Sequence, residues 1–294
     1  MPSVTDTGPG LVTLHLWRVP AGRIGAALGR VAVDRFALRR QPGADFSRLL
    51  GTGNGRTFRL RDAEPRRWGL LVAWRSAADA AAFERTAVPR RWAALAEETW
   101  RVELRPLAAR GRWAGQAPFG VPAGRREWAG PEVSGPGRAG RDRAEQEWPR
   151  REVSGSDRAG RDRATRDGWT ARDDWAAREW AGPVAALTRA RLVWRRARAF
   201  WRAVPAVAAD LADRPGLLLA IGIGERPVGL QGTFSVWESA AALRSFAYAG
   251  RAHAEAVRQT ARQRWYAEEL FARFAVLDAT GTVDGRDPLR GPAW

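Results

Sequence analysis

The sequence predicts an α+β protein in which two duplicated ferredoxin-like βαββαβ units form a fused dimeric α/β barrel, with a disordered insert between them. One observation behind this prediction is a repeat: WRSAA at 74–78 with Phe83 recurs as WESAA at 237–241 with Phe246, 163 positions later. A second is that each copy follows a strand-like run and precedes helical stretches and another apolar run. The two units are predicted to span residues 1–119 and 184–294, and the insert residues 120–183.

The elements of each unit follow from the spacing of apolar residues, since period-two runs predict strands and residues three or four apart predict helices. In the first unit these patterns predict strands at Val12–Trp17, Trp68–Trp74 and Trp100–Leu107, and a helix at Gly22–Arg35. In the second unit they predict strands at Ala185–Leu192, Leu217–Ile223, Val228–Trp237 and Phe271–Asp278, and a helix containing Trp194, Ala197, Trp201 and Val204. The run Leu217–Ile223 has no evident partner in the first unit.

The insert differs from the rest of the chain in composition. It has few aliphatic residues, many Gly, Pro and Ser, and nearly balanced Arg and acidic residues. It also repeats itself at an offset of 20, with EVSG at 132–135 and 152–155 and RAGRDRA at 138–144 and 158–164. Such a segment cannot bury enough apolar surface to offset the entropy of ordering it, so we expect disorder.

The charge and the cysteine count restrict the partners and cofactors. The net charge is +17, and all 49 basic residues are arginine because the chain has no lysine. This charge suggests nucleic acid or an anionic membrane as partners, but the mixed charge of the insert argues against specific nucleic-acid binding. The absence of cysteine excludes thiolate-ligated haem, iron–sulfur clusters and cysteine-ligated zinc. No signal-like segment or long apolar run occurs, so we expect a cytoplasmic protein.

The strand Val228–Trp237 carries a candidate ligand pocket. Its polar residues alternate with apolar ones, and we expect the polar set to point into the barrel, opposite the helices. The predicted pocket residues are Gln231, Thr233 and Ser235 in the second unit and their first-unit equivalents Trp68, Leu70 and Val72. One polar wall and one apolar wall suit a large, mainly apolar ligand. The alternative is that the polar set is solvent-exposed.

Two histidines and two arginines are candidates for a cofactor site. His253 has apolar neighbours at helical spacing, which is compatible either with a haem-iron ligand or with a hydrogen-bonded structural residue. His15, on the first strand, is the weaker candidate. Gly51–Arg56 resembles a phosphate loop only superficially, since no GK[ST] follows; a turn that brings Arg56 to a ligand carboxylate is at least as plausible. Arg90 stands 163 positions before His253.

Four blocks of the sequence resemble the spheroidene monooxygenase family of bacterial carotenoid ketolases. They are FSRLLGTG at 46–53, RGRWAGQAPF at 110–119, IGIGERP at 221–227 and HAEAVRQTARQRWYAEELFARF at 253–274. The blocks occur in both units and skip the insert. The resemblance therefore covers the chain apart from residues 120–183.

The resemblance implies a haem-dependent monooxygenase. Such an enzyme would use O₂ and reduced ferredoxin to hydroxylate an acyclic carotenoid or similar long polyene, and then oxidise the same carbon to a ketone. It also implies the α/β barrel, with His253 as iron ligand. From the repeat offset and from the turn, respectively, Arg90 and Arg56 are predicted as further cofactor contacts. The basic surface would dock ferredoxin or rest peripherally on the inner face of the membrane. The alternatives are a non-catalytic binder of haem or an apolar ligand, and a basic nucleic-acid-binding protein.

Overall fold

The computed structural model describes residues 10–53, 62–120, 180–192, 195, 211, 214–225, 230–249 and 266–290. Within these ranges the strands are β1 (Leu11–Arg18), β2 (Ala44–Gly53), β3 (Ala63–Trp74), β4 (Glu98–Gly111), β5 (Val184–Leu192), β6 (Leu217–Gly224), β7 (Leu230–Trp237) and β8 (Tyr266–Gly281). The α-helices are α1 (Ile24–Leu38), α2 (Ala77–Glu84), α3 (Ala87–Leu95) and α4 (Ala240–Ala249), and short 3₁₀ helices lie at Ala21–Arg23 and Pro288–Arg290.

The eight strands close into one antiparallel barrel in the order β1–β3–β2–β6–β7–β5–β8–β4. The first four strands have the internal order β4–β1–β3–β2, and the last four have the matching order β8–β5–β7–β6. We call these groups the first half and the second half. They meet at a short pairing of β2 with β6 and a long pairing of β4 with β8. Each of the eight strands therefore has two hydrogen-bonded neighbours, and the pairing of β2 with β6 is limited to Gly51–Gly53 and Gly222–Gly224.

Apolar side chains from all eight strands fill the interior of the barrel. Strand alternation places every second residue there. The interior residues from the strands are Val12, Leu14, Leu16, Phe46, Leu50, Leu71, Ala73, Trp100, Val102, Leu104, Ala185, Leu187, Ile221, Ile223, Phe234, Val236, Leu270, Ala272, Phe274 and Val276. The interior is therefore one core shared by both halves, and the helices cover the outer face of the sheet.

The repeated sequence pattern marks the junction between a strand and a helix in each half. Trp74 and Trp237 end β3 and β7, and a serine two residues later begins the next helix. The hydroxyl of Ser76 accepts a hydrogen bond from the amide of Asp79 at 3.1 Å, and that of Ser239 accepts one from Ala242 at 3.2 Å. Both serines thus act as N-caps, which satisfy amides that a helix start leaves free.

The structure corrects two expectations, one about the run Leu217–Ile223 and one about the glycine-rich segment that begins at Gly51. Leu217–Ile223 does have an equivalent in the first half: it forms β6, which pairs with β2, a strand that the sequence analysis did not predict. Gly51, Thr52 and Gly53 are the last residues of β2, so the backbone that resembled the start of a phosphate loop is strand. Its glycine-rich sequence and the charged Arg48 weaken the apolar pattern on which strand prediction depends.

Two glycine turns attach each half to the other. The bridge Trp113–Gln116 follows β4, and the bridge Val283–Arg286 follows β8. The carboxylate of Glu268 accepts the amides of Ala114 and Gly115 at 2.9 and 2.8 Å. Glu98 accepts those of Asp284 and Gly285 at 3.1 and 2.6 Å. Each half therefore supplies a glutamate that holds the turn of the other.

Several predicted features lie outside the described residues. These are the helix with Trp194, Ala197, Trp201 and Val204, and the predicted insert apart from its two ends. At its C-terminal end, the indole of Trp180 donates to the carbonyl of Pro183 at 2.8 Å and packs against the apolar core beneath α4. Among the helices that the structure describes, none has the length and apolarity needed to cross a membrane.

Candidate functional site

The predicted pocket residues face the helices, not the interior of the barrel. Leu70 and Val72 belong to the core between the sheet and the first-half helices, and Trp68 packs against that core. On β7 the interior residues are Phe234 and Val236, so Thr233 and Ser235 point outward. The backbone of Gln231 is part of β7, but its side chain is outside the part of the chain that the structure describes. The prediction of an inward-facing set was wrong because both faces of these strands are covered, and apolar character therefore does not identify the inner one.

The outer face of the first half is filled by aromatic residues. Trp17 stacks on Trp92 with 5.2 Å between ring centroids, and Trp74 packs on Phe83 at 5.0 Å. The indole of Trp74 donates to the hydroxyl of Thr13 at 2.9 Å. All four aromatic side chains are buried, so α2 and α3 are sealed against the sheet.

His15 lies inside this aromatic layer. Its Nε2 is 2.9 Å from Oε1 of Glu84, and its ring stacks on Trp17 at 5.2 Å and meets Phe83 edge-on at 6.2 Å. Nδ1 is buried and has no hydrogen-bond partner among the described residues. Since the ring is only 4 % exposed and is enclosed by two aromatic side chains, His15 is built into the core.

Glu84 connects His15 to the half-buried Arg101. The Nε of Arg101 donates to the same Oε1 of Glu84 at 3.0 Å. Burial on its own would raise the pKa of Glu84, but the hydrogen bonds and charges of His15 and Arg101 outweigh it and hold that pKa below its ordinary value. Glu84 is therefore ionised near neutral pH, and this cluster stabilises the aromatic outer surface of the first half, which we call the packed face.

The outer face of the second half has small and polar residues at the equivalent positions. The register defines the equivalence, since Leu11 pairs with Trp74 in the first half and Val184 with Trp237 in the second. From first half to second, the pairs are His15 and Thr188, Trp17 and Ala190, Leu70 and Thr233, and Val72 and Ser235. Thr188 is exposed, whereas His15 is buried. We call the outer surface at Thr188, Thr233 and Ser235 the open face; within it Thr188 is exposed, Thr233 is half-buried and Ser235 is buried.

Two arginines accompany the open face. Arg273 on β8 is 4 % exposed, points outward between the interior residues Ala272 and Phe274, and pairs in register with Ala186 of β5. Arg244 is on α4, and its Nη1 is buried without a hydrogen-bond partner among the described residues. A buried guanidinium group is a strong, geometrically specific partner for a carboxylate. The open face therefore combines small and polar outer residues with the buried side chain of Arg273, and α4 adds Arg244.

A charged cluster that the sequence analysis missed closes one end of the barrel. Arg189, 4 % exposed at its side chain, pairs with Glu268 and lies 3.4 Å from Glu225. Glu225 also accepts from Nε of Arg48 at 2.9 Å and from the indole of Trp113. Burial on its own would raise the pKa of Glu268. The hydrogen bonds from the amides of Gly115 and Ala114 and the charge of Arg189 outweigh this effect, so the pKa lies below its ordinary value. The cluster is balanced in charge and fixes the Trp113 turn.

The remaining predicted site residues are not brought together in the described part of the chain. His253 and Arg56 lie outside the described residues. Arg90 is exposed on α3, on the outer side of the packed face. Within the described ranges, no group of three or more His, Asp or Glu side chains could hold a metal ion.

The fold is an α+β barrel whose outer sheet surface is packed with aromatic residues in the first half and carries small and polar residues at the equivalent positions of the second. A crystal structure of aldoxime dehydratase has a similar fold, with a TM-score of 0.55 at 11% identity, covering 96% of this chain and 87% of that one. No family model matches the sequence.

Curated relatives identify the family. The chain is 30% identical over 263 residues to spheroidene monooxygenase of Rhodobacter capsulatus, covering 89% of this chain and 88% of that protein. It is 31% identical over 286 residues to spheroidene monooxygenase of Rubrivivax gelatinosus, covering 97% of this chain and 89% of that protein. The chain belongs to the spheroidene monooxygenase family. It is accordingly a monooxygenase, an enzyme of the oxidoreductase class.

Proposed function

We propose that this monooxygenase is haem-dependent and inserts oxygen from O₂ into an acyclic carotenoid or a similar long apolar polyene, first as a hydroxyl group and then, by further oxidation, as a ketone. The observation that carries the proposal is the open face, where Thr188 and Ala190 stand at the positions that His15 and Trp17 fill in the first half. A relative named for the oxygenation of spheroidene supports a carotenoid-like substrate.

The proposal includes a duplication of one ferredoxin-like unit. The matching strand orders of the two halves support it, as do the equivalent serine caps at Ser76 and Ser239. The ring contacts Trp74–Phe83 and Trp237–Phe246, at 5.0 and 5.3 Å, are also equivalent. A duplication would let the outer face of one copy differ while the other copy kept the packing that stabilises the barrel.

The residues at the open face fit a haem. The side chains there are smaller than at the equivalent first-half positions, and the buried Nη1 of Arg244 would suit a haem propionate. The chain has two histidines, and His15 is enclosed in the packed face, so the proposed iron ligand is His253. When bound, the haem would supply the activation of O₂. Arg56 and Arg90 stay proposed further contacts.

The protein's own residues would bind and orient the substrate. Thr188 and Thr233 offer hydroxyl groups on the open face, while Phe271, beside Thr188 in register on β8, offers an apolar contact. A few polar groups on a mainly apolar wall are typical of sites for large apolar ligands. Of the earlier pocket residues, Thr233, Ser235 and Gln231 stay in this proposal, whereas Trp68, Leu70 and Val72 belong to the packed first half.

The proposed electron donor is reduced ferredoxin, and the proposed location is the cytoplasm, with peripheral contact at the inner face of the membrane. The net charge of +17 favours an acidic protein donor and an anionic lipid surface alike.

The test is the visible spectrum and the turnover of protein purified from haem-supplied cells. We expect a Soret band, and a hydroxylated or keto product when an acyclic carotenoid, O₂, ferredoxin and its reductase are added. His253→Ala should lose the band, and the matched variant His15→Ala should keep it. A colourless wild-type protein would contradict haem dependence, and a coloured protein that gives no product would favour the non-catalytic binder.

A further inference from the structure

The solvent-facing side of α1 is apolar in a way that packing within the chain does not explain. Its largest apolar side chains there, Leu28, Val33 and Phe36, are 54%, 59% and 54% exposed. The opposite side of the helix buries Ala27, Asp34 and Leu38 against the first half. Asp34, the sole carboxylate of α1, is buried at 1% and accepts a hydrogen bond from the indole of Trp92 at 3.1 Å. The exposed side of α1 therefore has no negative charge.

Arginines lie against Phe36 and on the neighbouring helix. The guanidinium groups of Arg35 and Arg39 lie over the ring of Phe36, with Cζ 4.6 and 5.7 Å from its centroid. Arg40 follows at the end of the helix and is exposed. The neighbouring helix α3 adds exposed Arg90 and Arg91, and it too has no acidic residue. We call this surface of α1 and α3 the basic apolar face.

We propose that the basic apolar face docks the protein on an anionic phospholipid bilayer. Exposed apolar side chains framed by arginines are what an interfacial helix uses, because the apolar groups enter the acyl boundary while the guanidinium groups stay at the phosphates. A second copy of this chain is a poorer partner, since face-to-face contact would bring the arginines of both copies together. The inference rests on the membrane contact proposed above and is independent of the haem.

The absence of cysteine from the chain allows a single-site test. Phe36→Cys is labelled with a solvatochromic dye, and Leu277→Cys, at a position 42% exposed on β8, is the matched control. With vesicles of phosphatidylcholine and phosphatidylglycerol, we expect a blue shift of dye emission at position 36 and none at 277. Vesicles of phosphatidylcholine alone should give no shift. No shift at position 36, an equal shift at both positions, or a concentration-dependent shift without vesicles would overturn the proposal, the last in favour of self-association.

A charge variant separates the arginines from the apolar residues. Arg35→Gln combined with Arg39→Gln should weaken vesicle binding by about tenfold or more, since each arginine near an anionic surface contributes to affinity. The matched variant Arg290→Gln removes an arginine whose side chain is 88% exposed and should bind like the wild type. Equal binding by both variants would overturn the role of the arginines. The Soret band should be the same in all of these variants, so failure to dock leaves the proposed haem chemistry to its own test.

Discussion

The two halves of the sheet have the same strand order, but their outer faces carry different side chains. In the first half His15 and Trp17 are buried beneath α2 and α3, whereas in the second half their equivalents are the exposed Thr188 and the small Ala190. The large outer side chains of the first half are thus replaced by small or polar ones at these positions of the second half. The same strand order can therefore carry very different outer surfaces in the two halves.

The largest expected effect is on the packed face. Trp92→Ala removes a fully buried indole that stacks on Trp17 and donates to Asp34, so the free energy of unfolding should fall by about 3–5 kcal/mol. Trp92→Phe keeps a ring but leaves Asp34 buried without that donor, and should cost about 1–3 kcal/mol. Denaturant titration measures both. A loss below about 1 kcal/mol for Trp92→Ala would mean that this face does not carry the stability assigned to it.

The next prediction compares two residues at the same register position. His15→Ala should lower the free energy of unfolding by about 2–3 kcal/mol, because it removes buried ring contacts and leaves Glu84 with Arg101 as its remaining strong partner. Thr188→Ala, on the open face, should change it by less than about 0.5 kcal/mol. Equal losses from the two substitutions would contradict the division between the halves.

A smaller and pH-dependent effect is expected at the turn held by Glu98. Burial would raise the pKa of this carboxyl, but the amide of Gly285, the hydroxyl of Thr282 and the amide of Asp284 outweigh it and lower the pKa below its ordinary value. Because the folded pKa is lowered, the stabilisation is fully present above the unfolded value of about 4.3 and is lost as the pH falls through the folded pKa.

Glu98→Gln should therefore cost about 1–2 kcal/mol at neutral pH, since the carboxylate is partly exposed and one acceptor oxygen is retained. The difference from the wild type should shrink below about pH 4. Urea titrations at a series of pH values give both quantities. If the difference stayed constant down to pH 3, the lowered pKa of the Glu98 carboxyl would not be the cause of the stabilisation.

Local signals in the sequence predicted more of the fold than of the site. The WRSAA and WESAA patterns were informative because a strand-ending tryptophan and a serine N-cap act within a few residues of each other. Strand β2 was missed because its glycines and Arg48 interrupt the apolar pattern. Which face of β7 points inward depends on what covers each side, and alternation alone does not contain that information.

The charged contacts at the ends of the barrel depend wholly on tertiary structure. Glu268 binds amides 154 and 153 residues away in sequence, and Glu98 binds amides 186 and 187 residues away. No local pattern marks either glutamate. Arg189 was not predicted for the same reason. Its burial and its pairing with Glu268 depend on tertiary structure, and nothing in the sequence distinguishes it from the other arginines.

Haem binding by a variant that covers the open face tests the central claim most directly. Thr188→Trp places an indole where the first half already has large side chains, and Thr280→Trp makes the same change at an exposed threonine of β8. In a haemin titration followed at the Soret band, with thermal unfolding as a check on folding, Thr188→Trp should bind at least tenfold more weakly than the wild type. Thr280→Trp should bind normally. Undiminished binding by a folded Thr188→Trp protein would contradict the assignment of the haem site to the open face.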